Sequence, residues 1–206
     1  MSPRKRLPKD ERRELIERAA TQVFAEHGYR GASMDAIAER SGVSAPVVYD
    51  HFASKLDLHR RLLERTRNEL LEMWREHLFG DEPAEVRFPR AIEAWALYVE
   101  EHPYAAKMLF RGGLGDPEAE AVHREVQAQA RVGLGVLLAR EPGAENIAGE
   151  DQEALEMAAE IIRSGLTGLA VWWTDHPHVP REQIVQAVIN VVWVGLERVR
   201  GPQAPV

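Results

Sequence analysis

The sequence predicts an all-α protein of about nine helices, an N-terminal helix-turn-helix unit of three helices joined to a larger helical unit. Three observations carry this. Apolar residues recur at three- and four-residue spacing between Pro and Gly breaks, the period of one helix face. No segment shows the strict alternation of a half-buried strand, and no internal repeat or low-complexity tract is present. The stretch Ser33 to Lys55, SMDAIAERSGVSAPVVYDHFASK, reads as two short helices around a tight turn, followed by a compact aromatic end.

The first helix starts near Asp10. Leu15, Ile16, Ala19, Ala20, Val23 and Phe24 share one face of it, Gly28 ends it as a left-handed cap, and Tyr29 packs back onto it. Ser33 is the N-cap of a second helix whose inward face is Ile37 and Ala38. Ala38 is small where two steeply crossing helices would otherwise collide. Gly42 sits where the chain reverses and takes the positive φ that glycine adopts without steric cost. Val43 adds an apolar contact to the turn. Ser44 caps the third helix, with Pro46 in its first turn. Ser54 and Asp57 form a near capping box that opens a fourth helix, running through Leu58, Leu62, Leu63, Leu70 and Met73 toward Trp74. Gly80 to Pro83 breaks it.

Five further helices follow. Ala91 to Glu101 carries Ile92, Trp95 and Val99 and stops at Pro103. Tyr104 to Phe110 is short and ends at Gly112 and Gly113. Pro117 to Arg140 is long and weakened by Gly133 and Gly135. Glu141 to Gly149 is a loop by its Pro, Gly and Asn content. Asp151 to Thr174 and Arg181 to Arg200 are long helices separated by DHPHVP, and the tail GPQAPV frays. The domain boundary is placed between residues 1–54 and 55–206.

Composition removes several function classes. The chain of 206 residues has no cysteine, which excludes disulfides, zinc–cysteine sites and thiol catalysis. No uninterrupted apolar stretch is long enough to span a bilayer, and the basic start lacks the apolar run of a secretory signal. No Gly-rich phosphate loop or Gly-x-Ser-x-Gly elbow points to an enzyme. The eight histidines, among them His102, His123, His176 and His178, form no helical ligand set with a carboxylate. The reading is therefore of no cofactor, no metal and no enzyme. Net charge is −7, but residues 1–60 carry +2 and the remainder −9. The positive balance sits with the helix-turn-helix, as a polyanion partner requires. Arg4, Lys5 and Arg6 are either a solvated tail or transient phosphate contacts.

A helix-turn-helix places its last helix in the DNA major groove. The similarity goes further than that motif. AATQVFAEHGYRGASMDAIA (Ala19 to Ala38) and VVYDHFASKLDL (Val47 to Leu58) resemble the TetR family of transcriptional regulators over about fifty consecutive residues. The Phe-x-x-x-Gly-Tyr turn, the Ile-Ala pair, the Ser-Gly-Val turn and the Tyr-x-x-Phe-x-x-Lys end carry it. Pro46, in place of a common small glycine, and the acidic Asp50 depart from the pattern.

The resemblance implies a cytoplasmic, dimeric regulator, a repressor released from a palindromic double-stranded operator by a small-molecule effector. It implies pairing of the last two helices with those of a second copy, where Gly165, Leu166, Gly168, Leu169, Trp172, Trp173, Ile184, Val188, Val191, Val192 and Gly195 offer apolar and close-packing surface. Intramolecular burial is the other use for such residues. Candidate DNA contacts are Ser33, Ser44, Ala45, Pro46, Val47, Tyr49, Asp50, His51 and Lys55. Tyr49 and Lys55 would bind phosphate oxygens. Asp50 would accept from cytosine N4 or instead pair with Arg12 or Arg30. Candidate walls of an effector pocket are Met73, Trp74, Trp95, Tyr98, Met108, Phe110, His123, Gln127 and Trp172. Two other classes fit the same chain: a helical carrier or enzyme that has lost DNA binding, and a DNA binder that answers to a protein instead of a ligand.

Overall fold

The computed structural model describes residues 8–111, 115–140 and 152–193. Among these are nine α-helices and no strand. They are α1 (Lys9–Gly31), α2 (Met34–Ser41), α3 (Ala45–His51), α4 (Lys55–Leu78), α5 (Ala84–Glu101), α6 (Pro103–Phe110), α7 (Pro117–Leu138), α8 (Gln152–Thr174) and α9 (Arg181–Val188). A π-helical turn, Ile189–Trp193, continues α9. The expected loop at 141–149, the basic residues Arg4 to Arg6 and the tail lie outside the described residues.

The helix-turn-helix forms as the sequence requires. Gly28 breaks α1 at φ 68°, and Tyr29 folds back so that its ring lies parallel to Phe24 at 6.0 Å. Ser33 Oγ accepts the Ala36 N–H at 3.1 Å, capping α2. At the other end Gly42 takes φ 70°. Its N–H bonds to the Glu39 carbonyl and the Val43 N–H to that of Ala38, so the last carbonyls of α2 are satisfied by a Schellman turn. Val48 and Phe52 enter the core from α3 and its C-terminal end, each at most 1% exposed, against Ile16, Val23 and Ile37. Ser44 occupies the N-cap position of α3, but its hydroxyl makes no capping bond. Ser54 Oγ does accept the Asp57 N–H at 3.0 Å, and Asp57 reaches back to the Ala53 N–H.

In the larger unit α4 packs along α7 and α5, and α7 along α8. Gly133 makes the first contact possible. A Cβ there would stand 2.9 Å from both Leu71 methyls, so the glycine that weakens α7 locally brings it against α4. Two helix boundaries differ from expectation. α5 begins at Ala84 instead of Ala91 and runs through Pro89. Pro89 gives up one bond, to the carbonyl four residues earlier in the first turn, and the surrounding turns hold the helix. The last helix, expected to run regularly to Arg200, changes to π hydrogen bonding at Ile189.

His59 is the most unusual core residue. It is 1% exposed, sits against Phe24 and Tyr29 at 4.8 and 5.0 Å, and its Nδ1 has no hydrogen-bond partner. Burial, reinforced by His123 and Lys55, pushes its pKa down to about 4.

Two predictions follow from this packing. Gly42→Val meets no neighbouring atom but forces a β-branched residue to φ 70°. It should cost about 1–3 kcal/mol in urea unfolding, and Gly42→Asn markedly less. The second concerns pH. The unfolded state takes up a proton on His59 near its ordinary value of 6.5, while the folded state resists until about 4. Stability is therefore full above pH 6.5 and falls as pH drops toward 4, by roughly 3 kcal/mol. His59→Phe should remove most of that slope between pH 7 and 4 in the same unfolding assay.

Candidate nucleic-acid interface and effector cavity

With Val48 and Phe52 turned inward, the opposite side of α3 is left to solvent. Pro46, Tyr49 and Asp50 are exposed there, Tyr49 by 54%, with Ala45, Val47 and His51 half-buried beside them. Ser44 and Ser33 stand exposed at the N-termini of α3 and α2. The Ser44 hydroxyl is unspent, and the Ser33 hydroxyl keeps its proton because it only accepts from Ala36. Asp50 has no ion-pair partner among the described residues. The structure also adds Lys9, Arg12 and Arg13 from the start of α1, close enough to His51 that their charges, after its partial burial, lower its pKa. Sequence reading passed over this contribution because the basic run and α3 are far apart in the chain.

Lys55 differs from a free phosphate-binding cation. Its Nζ donates to the carbonyls of Tyr29 (2.9 Å) and Ala32 (3.0 Å) and lies 4.3 Å from the Tyr29 ring centroid. Two of its three donors are thereby committed, and its first task is to join α4 to the end of α1. A second tie runs along α4. Glu17 on α1, 7% exposed, is held by Arg13 and by Arg65. Arg65 also grips Glu69, which accepts the Tyr98 hydroxyl of α5 at 2.8 Å. Desolvation and this acidic partner raise the Tyr98 pKa far above the ordinary phenol value.

An apolar cavity of about 60 Å³ lies between α4, α5, α6, α7 and α8. Of the expected walls, Trp74, Trp95, Phe110 and Gln127 line it. The others do not, for reasons of helix phase. Met73 is one residue from Trp74 and so points about 100° away from it. Tyr98 turns to Glu69. Met108 faces α1 at a different cavity. His123 spends Nε2 on the Leu109 carbonyl at 2.7 Å. Trp172 is 45% exposed and stacks on His176 at 4.0 Å. Missed by sequence reading were Leu134 and Leu166, which any helix core would contain, and Arg67 and Arg163. Arg163 is held at the cavity by the Gln127 side-chain oxygen (2.7 Å) and Glu160, and Arg67 by Gln129 and Asn68. Two arginines in an apolar wall could have been noticed only with the helix pairing known.

Among the described residues, no group of three metal-ligating side chains is assembled, and no helix is long and apolar enough to cross a membrane.

Comparison with known proteins agrees with this geometry. The model of the family described as "Bacterial regulatory proteins, tetR family" matches residues 16–62, from the inward face of α1 into α4. The chain is 29% identical to the HTH-type transcriptional activator FasR of Mycolicibacterium smegmatis, over 94% of its own length and 87% of that protein's. It is 33% identical to the HTH-type transcriptional repressor AcnR of Corynebacterium glutamicum, over 34% of its own length and 37% of AcnR. Its fold is shared by the transcriptional regulator FadR of Bacillus subtilis, solved in complex with stearoyl-CoA. That match has a TM-score of 0.69 at 21% identity and covers 92% of this chain and 98% of that one.

The two groups of expected DNA contacts should separate experimentally. Tyr49→Phe should leave the melting temperature unchanged and weaken DNA binding, measured by fluorescence anisotropy. Lys55→Met strips two buried carbonyls of their donor and should lower folding stability by about 1–3 kcal/mol as well.

Proposed function

We propose, from the premise that this chain is a DNA-binding transcriptional regulator of the tetR family, that it acts as a homodimer whose hold on a palindromic operator is released by a small amphiphilic effector. The observation that carries this reading is the course of α4. It starts at the Lys55 tie beneath the helix-turn-helix and reaches Trp74 in the cavity wall, inside a helix of 24 residues. At ~1.5 Å per residue that helix is about 36 Å long. One stiff element therefore meets both places.

The dimer part rests on α8. Met157, Ile161, Gly165, Gly168 and Trp172 recur at helical spacing along one face. Met157 and Ile161 are 59% and 73% exposed, and both glycines face open space. A second copy of α8 could approach closely at the glycines and cover the apolar residues on either side. Two recognition helices would then be carried at a fixed separation, which must be roughly 34–36 Å to enter successive major grooves.

The effector part rests on the cavity. Its lining, almost wholly apolar, suits the apolar portion of a ligand, and Arg67, with no ion-pair partner among the described residues, stands in its wall to meet an anionic or polar head. An acyl thioester of coenzyme A, the class held by the FadR relative, is the first to test. At about 60 Å³ the cavity holds only about two waters. An effector must spread α4 from α7 and α8 as it enters, and that displacement is what would tilt α4. Its direction on transcription is a separate matter, since the relatives include both an activator and a repressor. Operator release gives repression or activation according to where the operator lies relative to the promoter. Residues 1–54 would serve DNA and 55–206 the effector and the partner.

Sedimentation should find a dimer, and Ile161→Asp a monomer with at least about tenfold weaker operator binding. An acyl-CoA that quenches Trp74 and Trp95 should weaken operator binding, and operator should weaken that ligand by the same factor. Equal ligand affinities with and without operator would sink the release mechanism.

A further inference from the structure

We propose that Asp50 reads a cytosine in each operator half-site, accepting a hydrogen bond from its N4 amine in the major groove. The inference rests on α3 being the helix that enters the operator. Folding does not account for a carboxylate at this position. Asp50 lies in the last turn of α3, where the negative end of a helix disfavours an acid. It is exposed, caps no helix and has no ion-pair partner among the described residues. Arg30, one of the partners the sequence offered it, lies against Gly115 instead. An exposed acid is ordinarily just a solvated charge. This one stands beside Tyr49 and Pro46 on the surface that must meet a polyanion, where a carboxylate costs binding unless it finds a donor. A residue that breaks a local rule without a gain in folding marks a functional position.

The chemistry of the base edges picks the partner. α3 holds no Arg, Lys, Asn or Gln, the side chains that pair with guanine or adenine through two bonds. Pro46 brings no donor to the exposed surface, and Tyr49 a single hydroxyl. His51 is half-buried, and burial together with Arg12, Lys9 and Arg13 disfavours its charge. Asp50 is thus the strongest polar reader on α3, and an ionised carboxylate only accepts. Guanine O6 and N7 and thymine O4 are themselves acceptors and repel it. Adenine offers its N6 amine with the N7 acceptor beside it. Cytosine offers the N4 amine without an acceptor of its own beside it, so a carboxylate prefers cytosine. Repulsion between Asp50 and the phosphates is offset by Lys9, Arg12 and Arg13 at the start of α1, which lie close enough to α3 to act on His51.

Selection from a random duplex library tests this, run in parallel with the full chain as wild type, Asp50→Ala and Asp50→Asn. Wild type should enrich a palindrome with cytosine fixed at one position of each half-site. Asp50→Ala should lose selection at that position alone, and Asp50→Asn should move it toward adenine. Fluorescence anisotropy at fixed salt then isolates the amine. Replacing that cytosine in one half-site by pyrimidin-2-one, which lacks the amine, should weaken wild type about tenfold and Asp50→Ala less than about twofold. A palindrome enriched identically by wild type and Asp50→Ala, or an Asp50-dependent position that is not cytosine, would overturn the assignment and leave the operator reading intact. Failure of wild type to enrich any palindrome would overturn that reading and this one with it.

Discussion

The contact between Lys55 and the end of α1 sets the geometry of everything beyond it. Gly28 breaks α1, and the short return through Tyr29 to Ala32 leaves carbonyls that no helix satisfies. The Lys55 ammonium takes two of them and lies on the Tyr29 ring. One side chain thus satisfies a helix break and fixes where α4 begins. Replacing it with a neutral group would leave both carbonyls buried and unpaired, a larger loss than the bonds alone are worth. The same tie holds the start of α4 against the end of α1.

Glu17 makes the attachment two-point. A lone salt bridge between exposed side chains adds little, and Arg65 is itself more than half exposed. Glu17 is different because it is buried and accepts from both Arg13 and Arg65. Its position on α1 is fixed by the core around Ile16 and Ala20, so Arg65 is drawn to a stationary partner. Through Glu69 and Tyr98 the chain of contacts extends to α5, one turn from Trp95 in the cavity wall. The route from cavity to helix-turn-helix consists of a rod and a polar strap, both ending on α1.

The helix-turn-helix was almost fully legible in the sequence, and the cavity only in part. Local rules decide the first. Gly42 needs positive φ, Ser33 and Ser54 cap, and Val48 and Phe52 alternate with exposed Pro46, Tyr49 and Asp50 at helical spacing, so neighbours in sequence suffice. The cavity depends on which faces of α4, α5, α7 and α8 meet, and a phase error of one residue rotates a side chain out of it. Met73 and Trp74 show this, as do Met108 and its neighbour Leu109. Lys55 has a second role that the sequence does not display. Its residue type announces phosphate binding, while its partners are backbone carbonyls more than twenty positions away, which no side-chain pattern records. The early start of α5 was hidden by Pro89, because a proline rule weighs one lost bond and not the packing of Ala91, Ile92 and Trp95 that outweighs it.

The size of the central cavity constrains how such a molecule can respond. A ligand shifts an equilibrium only by its preference for one state over another. A pocket that bound its ligand equally in both states would shift nothing, however tightly it bound. A space of about 60 Å³ is too small for an acyl thioester of coenzyme A as it stands, so on the proposed reading the occupied state would differ from this one. Gly133 sharpens this. It lets α7 press on Leu71 of α4 at minimal separation, so a group inserted at that contact has to move one of the two helices. In the proposed release, the element displaced by filling the cavity would be α4, which is tied to α1 at Lys55 and strapped to it at Glu17. On that reading, closure at one end of α4 and attachment at the other are two requirements of one device, and loosening either would separate occupancy of the cavity from the position of α3.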